Sequence, residues 1–148
     1  MEKDVVEVRE LSADECQTRF NEILGLYEAV GWTNYTARPE RLRAGYACSL
    51  AVWGAFAGDR LVGVVRVVGD GATIVFVQDL IVAPSHQRMG IGTQLMRAVM
   101  NRFSDVYQME LLTDDGSDAC ALYESLGFVR GDEMGCVSYV RVAREQGE

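Results

Sequence analysis

One stretch past the middle of the chain leaves little freedom. Thr73-Ile74-Val75-Phe76-Val77-Gln78-Asp79-Leu80-Ile81-Val82 is apolar and β-branched, the composition of a strand. Thr93 to Phe103 places Leu95, Met96, Val99, Met100 and Phe103 on one face of a helix. Between them lies Ala83-Pro84-Ser85-His86-Gln87-Arg88-Met89-Gly90-Ile91-Gly92. A strand, a glycine-containing turn and a helix aim several backbone N–H groups at one spot. Unpaired amides and the helix dipole together suit an anion such as a pyrophosphate. Gly90 and Gly92 would let phosphates approach the backbone with no Cβ in the way. A Rossmann fingerprint needs its glycines in the first strand–helix turn, and these come late. No Gly-x-x-x-x-Gly-Lys-Ser/Thr occurs, so a nucleoside triphosphate P-loop is excluded.

The remaining sequence frames that turn. Val5–Leu11 alternates as a first strand, and Ser12 with Glu15 forms a capping box. The helix behind it carries Cys16, Phe20, Ile23, Leu24 and Tyr27 inward and ends near Gly31. After a polar and aromatic loop, Pro39 starts a second helix that turns Leu42, Tyr46 and Leu50 inward. Ala51–Phe56 and Leu61–Val68 flank Ala57-Gly58-Asp59-Arg60 as a hairpin, and the Thr73–Val82 strand completes a meander. Val106–Leu112 reads as a strand parallel to it across the central helix. Ser117 or Asp118 caps a further helix that Gly127 ends. Phe128–Arg130 and Cys136–Val142 are expected to form a last hairpin, with Ala143–Glu148 frayed.

The 148 residues are enough for one domain with a real core, taken as 1–148. A net charge of −8 disfavours nucleic acid as a partner and is compatible with a cationic acceptor such as an amine. The four cysteines lack Cys-x-x-Cys spacing and there is one histidine, so no metal site is expected. The cysteines read as buried small hydrophobes. The start, Met1-Glu2-Lys3-Asp4, is polar and unlike a signal peptide, and no apolar run would span a membrane. The expected setting is cytoplasmic.

Gln87-Arg88-Met89-Gly90-Ile91-Gly92 resembles the Gln/Arg-x-x-Gly-x-Gly/Ala signature of the GCN5-related N-acetyltransferase (GNAT) superfamily. Ala119-Cys120-Ala121-Leu122-Tyr123-Glu124-Ser125-Leu126-Gly127-Phe128 resembles the family's later Tyr-Glu-x-x-Gly-Phe segment. The two motifs come in the family's order, and the resemblance extends over essentially the whole chain. It implies the GNAT fold of α/β class: a mixed, mostly antiparallel sheet of six to seven strands with about four helices. It implies acetyl-CoA as co-substrate and direct attack by a primary amine of a small molecule in a ternary complex. The alternatives are a protein lysine or N-terminus as acceptor, or an acyl-CoA-binding regulatory protein without turnover. A homodimer is plausible by family habit.

Carried over residue by residue, the resemblance implies roles for this chain. Leu80, Ile81 and Val82 would meet the pantetheine arm through main chain, and an N–H near Leu80 would polarise the acetyl carbonyl. Gln87, Arg88, Met89, Gly90, Ile91, Gly92 and Thr93 would hold the pyrophosphate. Tyr123 would sit at the sulfur as general acid. The family's asparagine seven residues earlier is replaced by Gly116, so that contact is lost or passes to Asp115 or Ser117. For the general base the candidates are Asp79 first, then Glu110 and Glu28. Glu28, Trp32 and Tyr35 are candidates for the acceptor pocket, with core cover as the other reading of the two aromatics. His86 lies on the pyrophosphate turn, at the wrong end of the cofactor for a base.

Overall fold

The computed structural model describes residues 5–143; the polar start at residues 1–4 and all but Ala143 of the tail lie outside them. The chain forms two compact units, Met1–Leu112 and Thr113–Glu148.

The first unit is built on a sheet in the order β1-β2-β3-β4-β5. Its strands are β1 (Val6–Leu11), β2 (Ala51–Ala57), β3 (Arg60–Gly69), β4 (Ile74–Val82) and β5 (Gln108–Leu111). The first four are antiparallel neighbours, and β5 runs parallel to β4. That parallel pair needs a crossover, which is α5 (Ile91–Arg102). β2 and β3 are buried along almost their whole length because helices cover both sides. Leu95 of α5 lies against Gly63 of β3, whereas Gly45 of α4 (Pro39–Ala47) lies against Arg66 of β3. Residues three apart on a strand point to opposite faces, so α5 and α4 cover different faces of the sheet.

The long first helix expected from the sequence is two helices, α1 (Ala13–Thr18) and α2 (Phe20–Ala29), with Arg19 between them at φ −95°, ψ 14°. The Ser12–Glu15 capping box forms in both directions. Cys16, Phe20, Ile23, Leu26 and Tyr27 are buried, so the inward stripe is displaced from Leu24 to Leu26. The aromatic loop contains one helical turn, α3 (Thr33–Thr36). Leu50, expected inward, lies beyond the end of α4 and is partly exposed.

The second unit contains α6 (Asp118–Ser125) and a single turn at Gly131–Met134. Gly127 at φ 93° ends α6: its N–H donates to Glu124 O and that of Phe128 to Tyr123 O. These are the two bonds of a Schellman end, and the Phe128 ring meets Tyr123 edge-on at 5.9 Å, the apolar contact that accompanies it.

Among the described residues the sheet has five strands where six to seven were expected, and there are six α-helices where about four were expected. Phe128–Arg130 and Cys136–Val142 are not strands. Alternation makes a segment suited to a sheet, but a ladder partner decides whether it becomes a strand. Val137, Tyr139, Val140 and Val142 all stand exposed.

Gly69 closes β3 at φ 134°, and a Cβ there would run into the Ile74 carbonyl oxygen. Gly69→Ala is therefore expected to destabilise the fold by on the order of 1–3 kcal/mol from backbone strain alone, measured by urea unfolding. An unchanged midpoint would contradict this register of the β3–β4 turn.

Candidate active site

β4 is paired unequally along its length. Its antiparallel ladder with β3 runs from Val75 to Val82, but its parallel ladder with β5 covers only Ile74 to Val77. From Gln78 onward no strand pairs with the β5 side of β4 among the described residues. The Ala83 N–H donates to Val62 O of β3 at 2.8 Å. Main-chain groups alternate in direction along a strand, so those of Ile81 also face β3, and those of Leu80 and Val82 face the open side. Gln87 Nε2 donates to Val82 O at 3.0 Å, consistent with that direction and fixing the start of the turn. Of the three β4 residues expected to meet the cofactor, Leu80 and Val82 turn their main-chain groups away from β3 and Ile81 turns its own toward it.

The turn after β4 opens with a 3-10 turn at Pro84–His86 and then holds two left-handed residues within three positions. Arg88 has φ 64°, the one positive φ outside glycine among the described residues, and Gly90 has φ 82°. Such residues curl successive N–H groups toward one point. Gly90 is the N-cap of α5 and no side chain caps the helix. The Gln94 N–H closes the first helical turn on Gly90 O. The amides of Ile91, Gly92 and Thr93 precede it and are left to a ligand or water. A Cβ on Gly90 would meet nothing within 4 Å. Within the protein itself the constraint there is the backbone angle and not crowding. Arg88, Met89 and Gly90 are exposed around this spot. His86 bonds Ser85 Oγ at 2.8 Å through Nδ1.

On the face opposite α5, Asp79 is the centre of a buried polar group. It is 3% exposed and lies on the same side of β4 as Val77 and Ile81. Its Oδ2 accepts from Tyr27 OH at 2.7 Å and from Arg66 Nε at 3.1 Å, and forms an ion pair with Arg66 Nη2 at 3.0 Å. Its Oδ1 accepts from Tyr35 OH at 3.1 Å. Tyr27 and Tyr46 share a further bond at 2.9 Å, and the Arg66 guanidinium lies over the Tyr46 ring. Burial, the largest single influence, would loosen the proton on Arg66, but the Asp79 carboxylate together with Tyr27 and Tyr46 outweighs it and holds it above the ordinary arginine range. A carboxylate that accepts from three donors and pairs with a buried guanidinium anchors its neighbours. Asp79, the first candidate for the base, is thus a member of a buried network that joins Arg66, Tyr27 and Tyr35.

The other candidates separate. Tyr35 is half-buried; its hydroxyl accepts from Gln78 Nε2 at 3.2 Å and lines a cavity with Asn34, Arg38, Arg41, Leu42, Gly45 and Arg66. Trp32 packs edge-on against Tyr27 and is not among the residues that line that cavity. Glu28 is exposed on α2 and Glu110 is exposed on β5. In the second unit Tyr123 is half-buried, and burial, then Cys120, raises its phenol above the usual tyrosine range, so it stays protonated. Gly116 has φ 76°, and Asp115 pairs with Arg130 at 2.7 Å, so the carboxylate that could replace the missing asparagine is engaged.

Of the cysteines, Cys16 is buried and its thiol is pushed up to about 11 by that burial; Cys120 is half-buried, and Cys48 and Cys136 are exposed. The expectation of four buried cysteines therefore holds for Cys16 alone. No cluster of metal-ligating side chains occurs among the described residues, and no helix there is long and apolar enough to cross a membrane. Sequence reasoning missed Arg66, Arg38 and Arg41. Arg66 carried a signal, as the lone charge within the apolar run Leu61–Val68.

Two outcomes are expected. Asp79→Asn leaves the Arg66 charge buried without its carboxylate and should cost roughly 3–5 kcal/mol of stability, read by denaturant unfolding; a loss under about 1 kcal/mol would mean that the pair is solvated. Burial, first of all, raises the phenols of both Tyr27 and Tyr46. The folded chain then keeps protons that the unfolded chain loses above about pH 10. Stability should be full below that pH and fall as pH rises past it, with these two phenols ionising only on unfolding. Phenolate absorbance checks this, and smooth ionisation of every tyrosine in the folded state would contradict it.

A family model for an acetyltransferase (GNAT) domain matches residues 49–130, more than half of the chain. Among solved structures, an acetyltransferase GNAT family protein from Streptococcus pneumoniae TIGR4 is 38% identical, with 95% of this chain and 98% of that one covered and a TM-score of 0.80. An aminoglycoside N-acetyltransferase, AAC(6')-Iy in complex with CoA, has the same fold at 19% identity and TM-score 0.66, with 98% and 97% covered. Another, from an uncultured soil metagenomic sample and in complex with sisomicin, does so at 17% identity and TM-score 0.68, with 97% of each chain covered. Among curated proteins none matches. With that family model over most of β2 to α6 and a relative of such identity along nearly its whole length, the chain belongs to the GNAT acetyltransferase family.

Proposed function

We propose that this protein is an N-acetyltransferase that moves an acetyl group from acetyl-CoA to a primary amine of a small molecule. One observation carries the reading. β4 loses its β5 neighbour at Gln78 and leads, through a turn with two left-handed residues, into a 12-residue helix with no side-chain cap. The open strand suits an extended amide-bearing arm, and the uncapped amides suit a pyrophosphate.

Acetyl-CoA, when bound, supplies an acetyl group already activated as a thioester. The chain's own residues do the rest. The amides of Arg88 to Thr93 bind the diphosphate, helped by the helix dipole and by the Arg88 charge in an otherwise acidic protein. The Leu80 and Val82 main-chain groups hold the arm, and the Leu80 N–H stabilises the developing oxyanion. Tyr123 keeps its phenolic proton and gives it to the departing thiolate. Its place in the motif supports this role. With both Asp79 oxygens engaged, the ammonium proton of the acceptor leaves through water. The acceptor approaches from the Tyr35 side of β4, where the cavity adjoins Gln78.

The test is thiol release from acetyl-CoA with a panel of amines, beside direct acetyl-CoA binding. Turnover on one amine class is expected. Tyr123→Phe should lower kcat on the order of 100-fold with acetyl-CoA affinity unchanged, and Gly90→Val should weaken that affinity about tenfold or more through its backbone angle. Binding without turnover on any amine would support a non-catalytic acyl-CoA-binding protein instead, and no binding would overturn the reading.

A further inference from the structure

The cavity beside Tyr35 has a volume of about 220 Å³ and is lined by three arginines, Arg38, Arg41 and Arg66, together with Asn34, Tyr35 and Gly45. No acidic side chain lines it. In a protein of net charge −8 this local excess of positive charge runs against the whole. Arg66 is 7% exposed and committed on one edge: Nε and Nη2 hold Asp79, and Nη1 reaches Ser49 Oγ at 3.4 Å. A guanidinium has further N–H groups to give. Its Nη1 occupies the space beside Gly45, where a Cβ would come within 3.2 Å.

Arg38 and Arg41 stand at the cavity with no carboxylate partner among the described residues. Arg9, Arg19, Arg102 and Arg130 have carboxylate partners, and several other arginines have none among the described residues; what sets Arg38 and Arg41 apart is that they converge with Arg66 on one cavity. Asp79 balances the Arg66 charge, so the excess at the cavity is that of Arg38 and Arg41. Two such guanidinium groups converging on one cavity suit an oxyanion, which planar guanidinium forks bind well.

The cavity also has a fixed relation to the open part of β4. The Tyr35 hydroxyl lies between Asp79 and Gln78, and Gln78 is the first β4 residue beyond the β5 ladder. An anionic group held by the arginines would stand one side chain away from the strand edge on which the thioester is proposed to lie. The volume is below the roughly 300 Å³ at which sites for drug-sized ligands begin. It suits a small head group and not a multi-ring polycation, which Arg38 and Arg41 would also repel.

We propose that this cavity is an oxyanion subsite, and that the acceptor is a small amine that also carries a carboxylate or a phosphate. The proposal rests on the acetyltransferase reading for the word acceptor, but the oxyanion subsite itself does not. Two measurements separate the two. First, acetyl transfer is compared within pairs of amines that differ by the anionic group: glutamate and β-alanine as carboxylates, phosphoethanolamine as a phosphate, and ethylamine and spermidine as amines without one. Second, binding of glutamate and of inorganic phosphate is followed directly by NMR of the arginine Nε–H groups.

The expected results are a kcat/KM at least about tenfold higher for an anionic member than for the amines without an anion, and saturable binding of one of the two probes. The carboxylate and phosphate arms say which oxyanion is used. Arg38→Gln and Arg41→Gln should each reduce that preference and probe binding severalfold. Arg43→Gln makes the same charge change on α4, but Arg43 packs over Phe20 away from the cavity and should leave both unchanged. A preference for spermidine or ethylamine would overturn the proposal while leaving acetyl transfer standing. Probe binding that Arg38→Gln and Arg41→Gln do not weaken, or no probe binding at all, would also overturn it. If no amine is acetylated but a probe binds and both variants abolish that binding, the subsite stands and the acetyltransferase reading fails.

Discussion

The buried pair of Arg66 and Asp79 ties together elements that would otherwise have only apolar contacts in common. Arg66 comes from β3 and Asp79 from β4; Tyr27 comes from α2, Tyr35 from α3 and Tyr46 from α4. Every one of these side chains has its polar atom satisfied, and no buried side-chain nitrogen or oxygen lacks a partner among the described residues. A buried pair of charges adds little net stability over a well-packed apolar pair, because both ions lose their hydration. Its effect is on specificity. The helices over this face have one arrangement that serves Asp79, and a shift of any of them would leave a buried polar group unpaired. The same network fixes the Tyr35 hydroxyl at the edge of the open strand and holds the Arg66 head at the cavity wall. The carboxylate singled out in the sequence thus holds together the side chains around the cavity.

The chain divides recognition between backbone and side chains. The proposed cofactor surface is nearly all main chain: the free side of β4 at Leu80 and Val82, then the amides around Gly90. This explains how a strongly acidic protein could bind an anionic co-substrate, since amides and a helix dipole do not depend on net charge. The cavity does the reverse and uses side-chain charge in a small volume. Net charge of −8 had suggested a cationic acceptor, yet the charges that a ligand would meet at Tyr35 are arginines. Local charge within a Debye length, about 8 Å at physiological salt, outweighs the distant total.

Much of the fold was legible in the sequence because its signals were local. The Ser12–Glu15 box, the Ala57–Arg60 turn, the Pro39 helix start and the Gly127 helix end each need only a few neighbouring residues, and each is present. The turn from Val82 to Thr93 was legible for the same reason. The break at Arg19 was hidden because the apolar stripe continues across it in register. The segment Cys136–Val142 alternates as a strand should, but pairing is not a local property. Asp79 illustrates the limit for the site. Its face could be read from period two, but its partners come from 13, 44 and 52 residues away, and those contacts decide what it does.

The most direct test of the central claim is an amide NMR titration of the protein with CoA. The account predicts that the largest shifts fall on the amides of Arg88 to Thr93 and on Leu80 and Val82, while Ile81, turned toward β3, moves little. If CoA bound and left the amides around Gly90 unmoved, the uncapped end of α5 would not be its pyrophosphate site, and the functional reading built on it would be contradicted.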